Sequence, residues 1–306
     1  MVHPAPLPRV LGNEFGVGAA LSVGVPAGRL RRRDLSRPFR GARSIEAPHS
    51  VDQRARALTP LLGSEQFFSH ITAAELWGMR MPEGLTDRPL HVTHRNAARA
   101  MRRPGVVGHI ATTAPRVATT PCGVLASSPI DAWCESSALL GLDDLIVMGD
   151  GLVRRRGPVA TLDQLVAAVS ARPGRRGTAR LRTALLSIRE NTDSARETIL
   201  RLAVTRAGFP EPEINAELRD HAGRVIAHGD MVWPQFRVVL EYDGRQHAED
   251  PAQFAIDIRR LDRIAEADYR LIRVDRELLA ARTELFRTIT RALSARGWSP
   301  NGSTSR

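Results

Sequence analysis

The order of predicted elements in residues 194–296 constrains the fold of this chain more than any other feature. A helix over 194–207 carries its apolar residues on one face, and Gly208 ends it. Alternating apolar and polar residues then predict strands over 213–219, 225–233 and 237–243, followed by a helix over 251–268, a strand over 269–275 and a helix over 276–296. This α-β-β-β-α-β-α order predicts a mixed sheet flanked by helices.

The third of these strands places two acidic residues in an otherwise apolar segment. Glu241 and Asp243 are two positions apart, so their side chains share one face of the sheet. Asp230 lies within reach on the preceding antiparallel strand. Because ionised carboxylates beside a core must be compensated, we expect either a divalent cation, Mg²⁺ (or Mn²⁺), bound by these three acids, or a neutralising arginine, with Arg273 as the best candidate.

Several short motifs in this region resemble the very-short-patch-repair-like endonuclease family of the PD-(D/E)XK superfamily. They are ETILRL at 197–202, GDMVWP at 229–234, LEYDGRQH at 240–247, DIRR at 257–260 and LIRV at 271–274. The resemblance implies Asp230 and Glu241 as metal ligands, Glu197 as a third acid from the first helix, and hydrolysis of phosphodiester bonds as the reaction.

The general base of this reaction is not assigned by the resemblance. The superfamily lysine would fall at Asp243, and the chain contains no lysine. His247 follows shortly after and is a candidate to activate water or to contact the scissile phosphate, because imidazole titrates near neutrality. The candidate catalytic residues are therefore Asp230, Glu241, Asp243 and His247.

Two of the candidate residues also have an ordinary structural explanation. Ser194 and Glu197 have the spacing of a capping box, so Glu197 is predicted either to cap the first helix or to join the acidic site. Asp257 and Arg260 share a helical face, so Arg260 is predicted either to pair with Asp257 or to contact DNA.

A second resemblance covers residues 53–153. The segments FFSHITAAELWG at 67–78 and LDDLIVMGD at 142–150 resemble the AbiEi-like antitoxin and regulator family. The resemblance implies a DNA-binding winged helix at the amino-terminal end and a toxin protein as a partner. In this chain a turn entering a basic helix over 25–35 and a wing over 37–43 would form a reduced winged-helix module. The histidines of this region (His70, His91, His94 and His109) lack ligand spacing, so we expect structural or surface roles for them.

The basic residues of the chain are all arginines, 44 of them, and they are concentrated in two segments. Residues 29–43 hold seven arginines and one acid, and residues 151–192 hold nine arginines and two acids. Guanidinium groups bind phosphate in a bidentate manner, so we expect DNA contacts there, with a solvated basic linker as the alternative. The predicted contacts are Arg31, Arg32, Arg33, Arg154, Arg155, Arg156 and Arg260.

The length of 306 residues predicts more than one domain in an α+β arrangement. The expected division is a winged-helix-like module (1–50), a mixed α/β AbiEi-like region (51–153), an arginine-rich connector (154–192), a PD-(D/E)XK nuclease-like domain (193–297) and a disordered tail (298–306). No apolar window is long enough to span a bilayer, and the two cysteines are too few for a disulfide framework, so we expect a cytoplasmic protein.

Two functions fit this sequence. The first is a metal-dependent DNA endonuclease. The second is a non-catalytic DNA-binding regulator of antitoxin type, in which an inactive nuclease fold remains as a scaffold.

Overall fold

The protein is a mixed α+β chain, as the sequence predicts. The computed structural model describes residues 5–82, 88–112, 114–243 and 251–300. They form two compact units: unit 1 consists of residues 1–148 and 163–185, and unit 2 of residues 149–162 and 186–306. The expected connector is thus shared between the units. In the described ranges no helix has the length and apolar character needed to cross a membrane.

Unit 1 contains short helices and two sheets. Its helices are α1 (Val17–Ser22), α2 (Val51–Leu58), α3 (His70–Leu76), α4 (Pro129–Ser136), α5 (Leu142–Leu152, which continues into unit 2), α6 (Leu162–Ser170, whose first residue belongs to unit 2) and α7 (Thr178–Leu185). Its strands are β1 (Glu14–Gly16), β2 (Ala42–Ser44), β3 (Gln66–Phe68), β4 (Leu90–His94), β5 (Arg102–Arg103), β6 (Val106–Ile110), β7 (Val117–Thr119) and β8 (Leu125–Ser127).

The larger sheet of unit 1 has the strand order β5-β6-β4-β3-β8-β7. Strand β4 pairs antiparallel with β3 and parallel with β6. Beside it, α4 begins at Pro129, and the Ser128 side chain caps its first turn by accepting from Asp131 N. The fully buried Trp133 of this helix donates from Nε1 to Leu145 O at 2.9 Å, which satisfies its polar atom inside the core.

The basic segment near the amino-terminal end forms a 3-10 turn, Arg29–Arg31, instead of the predicted basic helix. Leu30 and Leu35 are buried in a small core of this segment, and Arg29 pairs with Asp34 at 2.8 Å. The two buried leucines and the ion pair hold this segment in a turn. The arginines between the leucines therefore point outward. Arg31, Arg32 and Arg33 are exposed.

Unit 2 has the element order that the sequence predicts for residues 194–296. Its elements from there are α8 (Ala195–Arg206), β9 (Glu213–Arg219), β10 (Val225–Trp233), β11 (Val238–Tyr242), α9 (Pro251–Glu266), β12 (Arg270–Val274), α10 (Arg276–Ala280) and α11 (Arg282–Ser294). The sheet order is β12-β11-β10-β9, with β11 and β12 parallel. The predicted final helix is divided at Ala281, whose ψ of 64° is not helical.

The predicted tail, 298–306, includes residues that the structure describes. Trp298 packs against the core of unit 2, and its ring centroid lies 5.3 Å from that of Phe209. Removing a large aromatic side chain from water lowers the free energy by more than the lost conformational entropy of the chain raises it. This difference explains why position 298 is ordered. Residues 301–306 of the predicted tail lie outside the described part of the chain.

The sheet of unit 2 has a separate apolar core on each face. Val238 and Leu240 pack into one core with α8 and α11, whereas Val239 packs into the other with Ile264 of α9. Since side chains alternate along a strand, Glu241 belongs to the α9 face. Val232 on β10 packs on that same face, which places Asp230 there as well.

A buried ion pair joins the first segment of unit 2 to helix α8. Asp150, with no exposed surface, accepts from Arg201 Nη2 at 2.9 Å, from Thr198 Oγ1 at 2.8 Å and from Arg189 N at 2.8 Å. Arg201 is 2% exposed and also donates to Ser187 O. Three donors thus compensate one buried carboxylate.

Asp150→Ala should lower the free energy of unfolding of unit 2 by about 3 to 5 kcal/mol, because it leaves the Arg201 guanidinium buried without a counter-charge. Urea denaturation measures the change. Asp262→Ala is the matched control, since that carboxylate is exposed on α9. A loss below about 1 kcal/mol, the range of surface ion pairs, would contradict the importance of this pair.

Candidate functional site

Asp230 is the centre of a group of acidic side chains in unit 2. The register pairs Met231 with Leu240, so Asp230 and Glu241 follow next to each other on β10 and β11. Asp230 Oδ2 accepts from Tyr242 N at 2.8 Å. The preceding residue must be small because a Cβ at Gly229 would lie 2.6 Å from Val239 Cγ1. Close approach of the two strands therefore holds Asp230 against β11.

Glu197 reaches this group from the first turn of α8. Ser194 Oγ caps the helix by accepting from Glu197 N at 3.1 Å. The Glu197 carboxylate, only 7% exposed as a residue, accepts from Asp193 N at 2.8 Å and from Asn215 Nδ2 at 3.2 Å. Glu197 thus combines the two roles considered for it. Its backbone N–H takes part in the helix cap, and the charge of its side chain acts on Asp230.

Glu241 is paired with an arginine, but not with the one that the sequence predicts. Arg260 of α9 donates to both carboxylate oxygens, from Nη1 at 3.2 Å and also from Nη2, and it donates to His228 O at 2.7 Å. Arg273 stands opposite Glu241 on β12 but is exposed. The prediction for Arg273 is wrong because α9, which covers this face, brings the Arg260 guanidinium directly over Glu241.

The structure gives Arg260 a partner that neither sequence interpretation named. Glu241 accepts two of the Arg260 hydrogen bonds and is the largest cause that raises the Arg260 pKa, while Asp257 raises that pKa only through its charge. Arg260 is therefore held mainly by the acidic site rather than by its neighbour on the helix.

The acids outnumber the guanidinium that pairs directly with them. Burial, and after it the charges of Glu197 and Glu241, raise the pKa of Asp230 to about 7, against the lowering effects of the Tyr242 N–H and Arg260. Two carboxylates beside a third one in a desolvated position leave an excess of negative charge. A cation would balance it.

The arginine cluster of the expected connector lies beside this group. Arg155 Nε donates to Asp193 Oδ1 at 3.2 Å, and Asp193 precedes the cap of α8. The Asp193 hydrogen bond raises the pKa of Arg155, and the charges of Glu197 and Asp230 add to this effect. Arg154 Nε donates to Arg156 O and Gly157 O, both at 3.0 Å, so the cluster is a structured turn.

Asp243 directly follows the last residue of β11. Asp243 donates from its backbone N to Val274 O at 2.9 Å and is half-buried, and Glu197 is the acid with the largest effect on Asp230. His247 lies outside the described residues. Over the ranges that the structure describes, the carboxylates do not form a trio with all ligand atoms within 4.8 Å of one another.

Three histidines of unit 1 form a second cluster that the sequence does not predict. Ligand nitrogens of His70, His91 and His109 all lie within 4.8 Å of one another. They are far apart in sequence and meet because β4 and β6 pair in parallel beside the start of α3. His94 lies apart from them, with Nδ1 accepting from Asn96 N at 3.0 Å.

Comparison with known proteins gives two distant relatives. Two uncharacterized proteins of Mycobacterium tuberculosis, one from strain CDC 1551 / Oshkosh and one from strain ATCC 25618 / H37Rv, are each 28% identical to this chain over 131 residues. The match covers 39% of this chain and 48% of each relative, so the chain spans about half the length of the curated relatives it matches. No family model and no solved structure matches the chain.

The raised pKa of Asp230 predicts a pH-dependent stability in the absence of metal. The carboxyl titrates near 3.8 when unfolded and at about 7 when folded, so its stabilising contribution is full below pH 4 and is lost as the pH rises to 7. Asp230→Asn stays neutral and should gain about 2 to 3 kcal/mol over the wild type between pH 5 and pH 8, since each pKa unit corresponds to about 1.4 kcal/mol.

Urea denaturation in the presence of a chelator measures this difference. Asp262→Asn removes an exposed carboxylate of α9 and should change stability equally at both pH values. A difference between Asp230→Asn and the wild type that stays constant with pH would show that Asp230 is ionised in the folded protein at pH 5.

Proposed function

We propose that unit 2 is a Mg²⁺-dependent (or Mn²⁺-dependent) DNA endonuclease with a PD-(D/E)XK-like fold. The observation that carries this proposal is that the charges of Glu197 on α8 and Glu241 on β11 both act on the desolvated Asp230 of β10, while Arg260 pairs directly with Glu241. The excess negative charge is unfavourable for folding alone, which favours a functional role.

The donor set fits a hard divalent cation. Glu197, Asp230 and Glu241 offer only oxygen atoms, which Mg²⁺ prefers, and Asp243 extends the acidic face of β11. When bound, such an ion polarises a phosphate oxygen and lowers the pKa of an attacking water. Asp230 and Glu197 would hold it, and Glu241 would join them by sharing its carboxylate between the cation and Arg260.

The arginines near the acids fit the phosphates of the same substrate. Arg154, Arg155 and Arg156 form their turn next to Asp193, beside Glu197. Guanidinium groups there would hold the DNA backbone and stabilise negative charge that develops at phosphorus. Arg260 would add its positive charge from the α9 side. His247 stays a candidate to activate water.

A second function, a DNA-binding regulator of antitoxin type, is favoured by a different observation. Arg260 contacts both oxygens of Glu241, as expected of an acid that has become part of a scaffold. In this proposal the exposed Arg31, Arg32 and Arg33 of a winged-helix-like module over 1–50 bind DNA, and the AbiEi-like region binds a toxin protein.

Nicking of supercoiled plasmid distinguishes the two functions. The wild type should nick in Mg²⁺ or Mn²⁺ and not in chelator. Asp230→Asn and Glu241→Gln should each reduce the rate by about two to three orders of magnitude, since a lost cation removes several kcal/mol of transition-state stabilisation. Glu217→Gln is the matched control because that carboxylate is exposed on β9 of the same sheet.

Thermal melts of the metal-free variants complete this test. If Glu241 serves only to pair with Arg260, Glu241→Gln should destabilise the protein, by less than a fully buried pair would because the Arg260 side chain is 28% exposed. A destabilised Glu241→Gln variant, with a wild type that never nicks DNA, would reject the nuclease and favour the regulator.

The salt dependence of DNA binding locates the binding surface. Affinity for duplex DNA should fall steeply between 50 and 200 mM salt, by about 10³ or more if six or more phosphates are contacted. Charge reversal of Arg154, Arg155 and Arg156 to glutamate should flatten this slope. The same change at Arg31, Arg32 and Arg33 is the comparison: an effect there, without one at 154–156, would move DNA binding to unit 1.

A further inference from the structure

Three imidazole rings from three separate elements meet inside unit 1. His70 is the first residue of α3, His91 lies on β4 and His109 lies on β6. His91 Nδ1 and His109 Nε2 are 2.9 Å apart, and the ring centroids of His70 and His109 are 3.8 Å apart. Nothing in the acidic site of unit 2 uses these residues.

We propose that His70, His91 and His109 form a binding site for a transition-metal ion such as Zn²⁺. Neutral imidazole nitrogen is a preferred ligand of Zn²⁺ and a poor one for Mg²⁺, so this site selects a different ion from the carboxylates of unit 2. Three histidines would leave one position of a tetrahedral ion open to water or another ligand.

The spacing of the ring nitrogens is compatible with such an ion. Two ligands at a Zn–N distance of about 2.0 to 2.1 Å in tetrahedral geometry lie about 3.3 Å from each other. The facing nitrogens of His91 and His109 need to separate by only a few tenths of an ångström from their present 2.9 Å. His70 completes the set, since one ligand nitrogen of each ring lies within 4.8 Å of the others.

Burial keeps the rings in the form that binds metal. Desolvation is the largest cause that lowers the pKa of His70 to about 2 and that of His91 to about 4, and it also lowers the pKa of His109. Neutral rings retain a lone pair, so a metal ion does not compete with protons near pH 7.

Neighbouring groups orient His70 as outer-shell groups orient metal ligands. Ser69 Oγ lies 2.9 Å from His70 Nδ1 and accepts from Thr93 Oγ1 at 2.7 Å. The Glu135 carboxyl group accepts from His70 N at 3.1 Å and lies 4.0 Å from its Nδ1, so an oxygen acceptor stands next to the rings. Such contacts to a second ring nitrogen are common around bound metals.

The backbone also holds the cluster in place. His70 has a φ of 54°, a left-handed conformation that is uncommon outside glycine and that the surrounding contacts must stabilise. Next to His109, a Cβ at Gly108 would lie 2.1 Å from Met101 O, so only glycine allows the chain to pack closely there. The backbone at His70 and at Gly108 therefore has little conformational freedom, which holds His70 and His109 in place.

Titration of the chelator-treated full-length protein with Co²⁺ tests this site. In the wild type, one bound equivalent should show the visible absorption of a nitrogen-ligated ion, and Zn²⁺, but not Mg²⁺, should remove this absorption. The double variant His91→Asn with His109→Gln keeps polar atoms where the two nitrogens face each other and should weaken binding at least tenfold. His94→Gln, on the same strand as His91, is the matched control and should bind as the wild type does.

A further variant tests whether the acidic site of unit 2, instead of the histidines, binds the Co²⁺. Asp230→Asn should bind Co²⁺ with unchanged affinity. A wild type without Co²⁺ binding would mean that the rings are only a hydrogen-bonded stack of neutral imidazoles and would overturn the proposal. Loss of binding in Asp230→Asn, with binding retained in the double histidine variant, would also overturn it by placing the ion in unit 2.

A measurement on the wild type alone keeps the test valid if the double variant does not fold. In protein labelled with ¹⁵N at the histidine rings, Zn²⁺ should shift the ring-nitrogen signals of His70, His91 and His109 and leave that of His94 unchanged. Unshifted signals of the three rings at saturating Zn²⁺ would reject the site.

Discussion

The buried pair of Asp150 and Arg201 is the interaction on which the arrangement of unit 2 depends. Neither charge has access to water, so each is solvated by the other and by the groups that bind them. Because Thr198 donates to the same carboxylate, the pair fixes the first half of α8 along its length. Glu197 is the neighbouring residue, and its position beside Asp230 therefore follows from the pair.

In the acidic site, one arginine stabilises one carboxylate and, among the described residues, leaves the charges of Asp230 and Glu197 without a direct partner of this kind. Arg260 satisfies both oxygens of Glu241, which removes most of the cost of burying that carboxylate. Asp230 receives only one backbone N–H among its described hydrogen bonds, and Glu197 faces it from α8. The structure thus keeps one carboxylate paired and leaves another under strain, which is the electrostatic state that a bound cation would relieve.

The sequence predicts the secondary structure of unit 2 and the face on which a side chain lies better than it predicts contacts between distant elements. Alternation in β11 correctly puts Glu241 on one face, because the pattern of apolar residues depends only on neighbouring positions. The choice of Arg260 over Arg273 could not be made, since it depends on where α9 packs across the sheet. Similarly, His91 and His109 meet through a parallel pairing of β4 and β6 that no short motif encodes.

The exclusive use of arginine also limits the chemistry that the acidic site can perform. A guanidinium stays protonated at any physiological pH, so Arg260 supplies charge and hydrogen bonds but cannot accept a proton. Near pH 7 a proton acceptor must therefore come from another group. Asp230, whose pKa burial raises to about 7, exchanges a proton in this range. Cation binding would lower that pKa, so the same carboxylate cannot be both a tight ligand and the base. If Asp230 binds the cation, proton transfer must pass to water or to a side chain beyond β11.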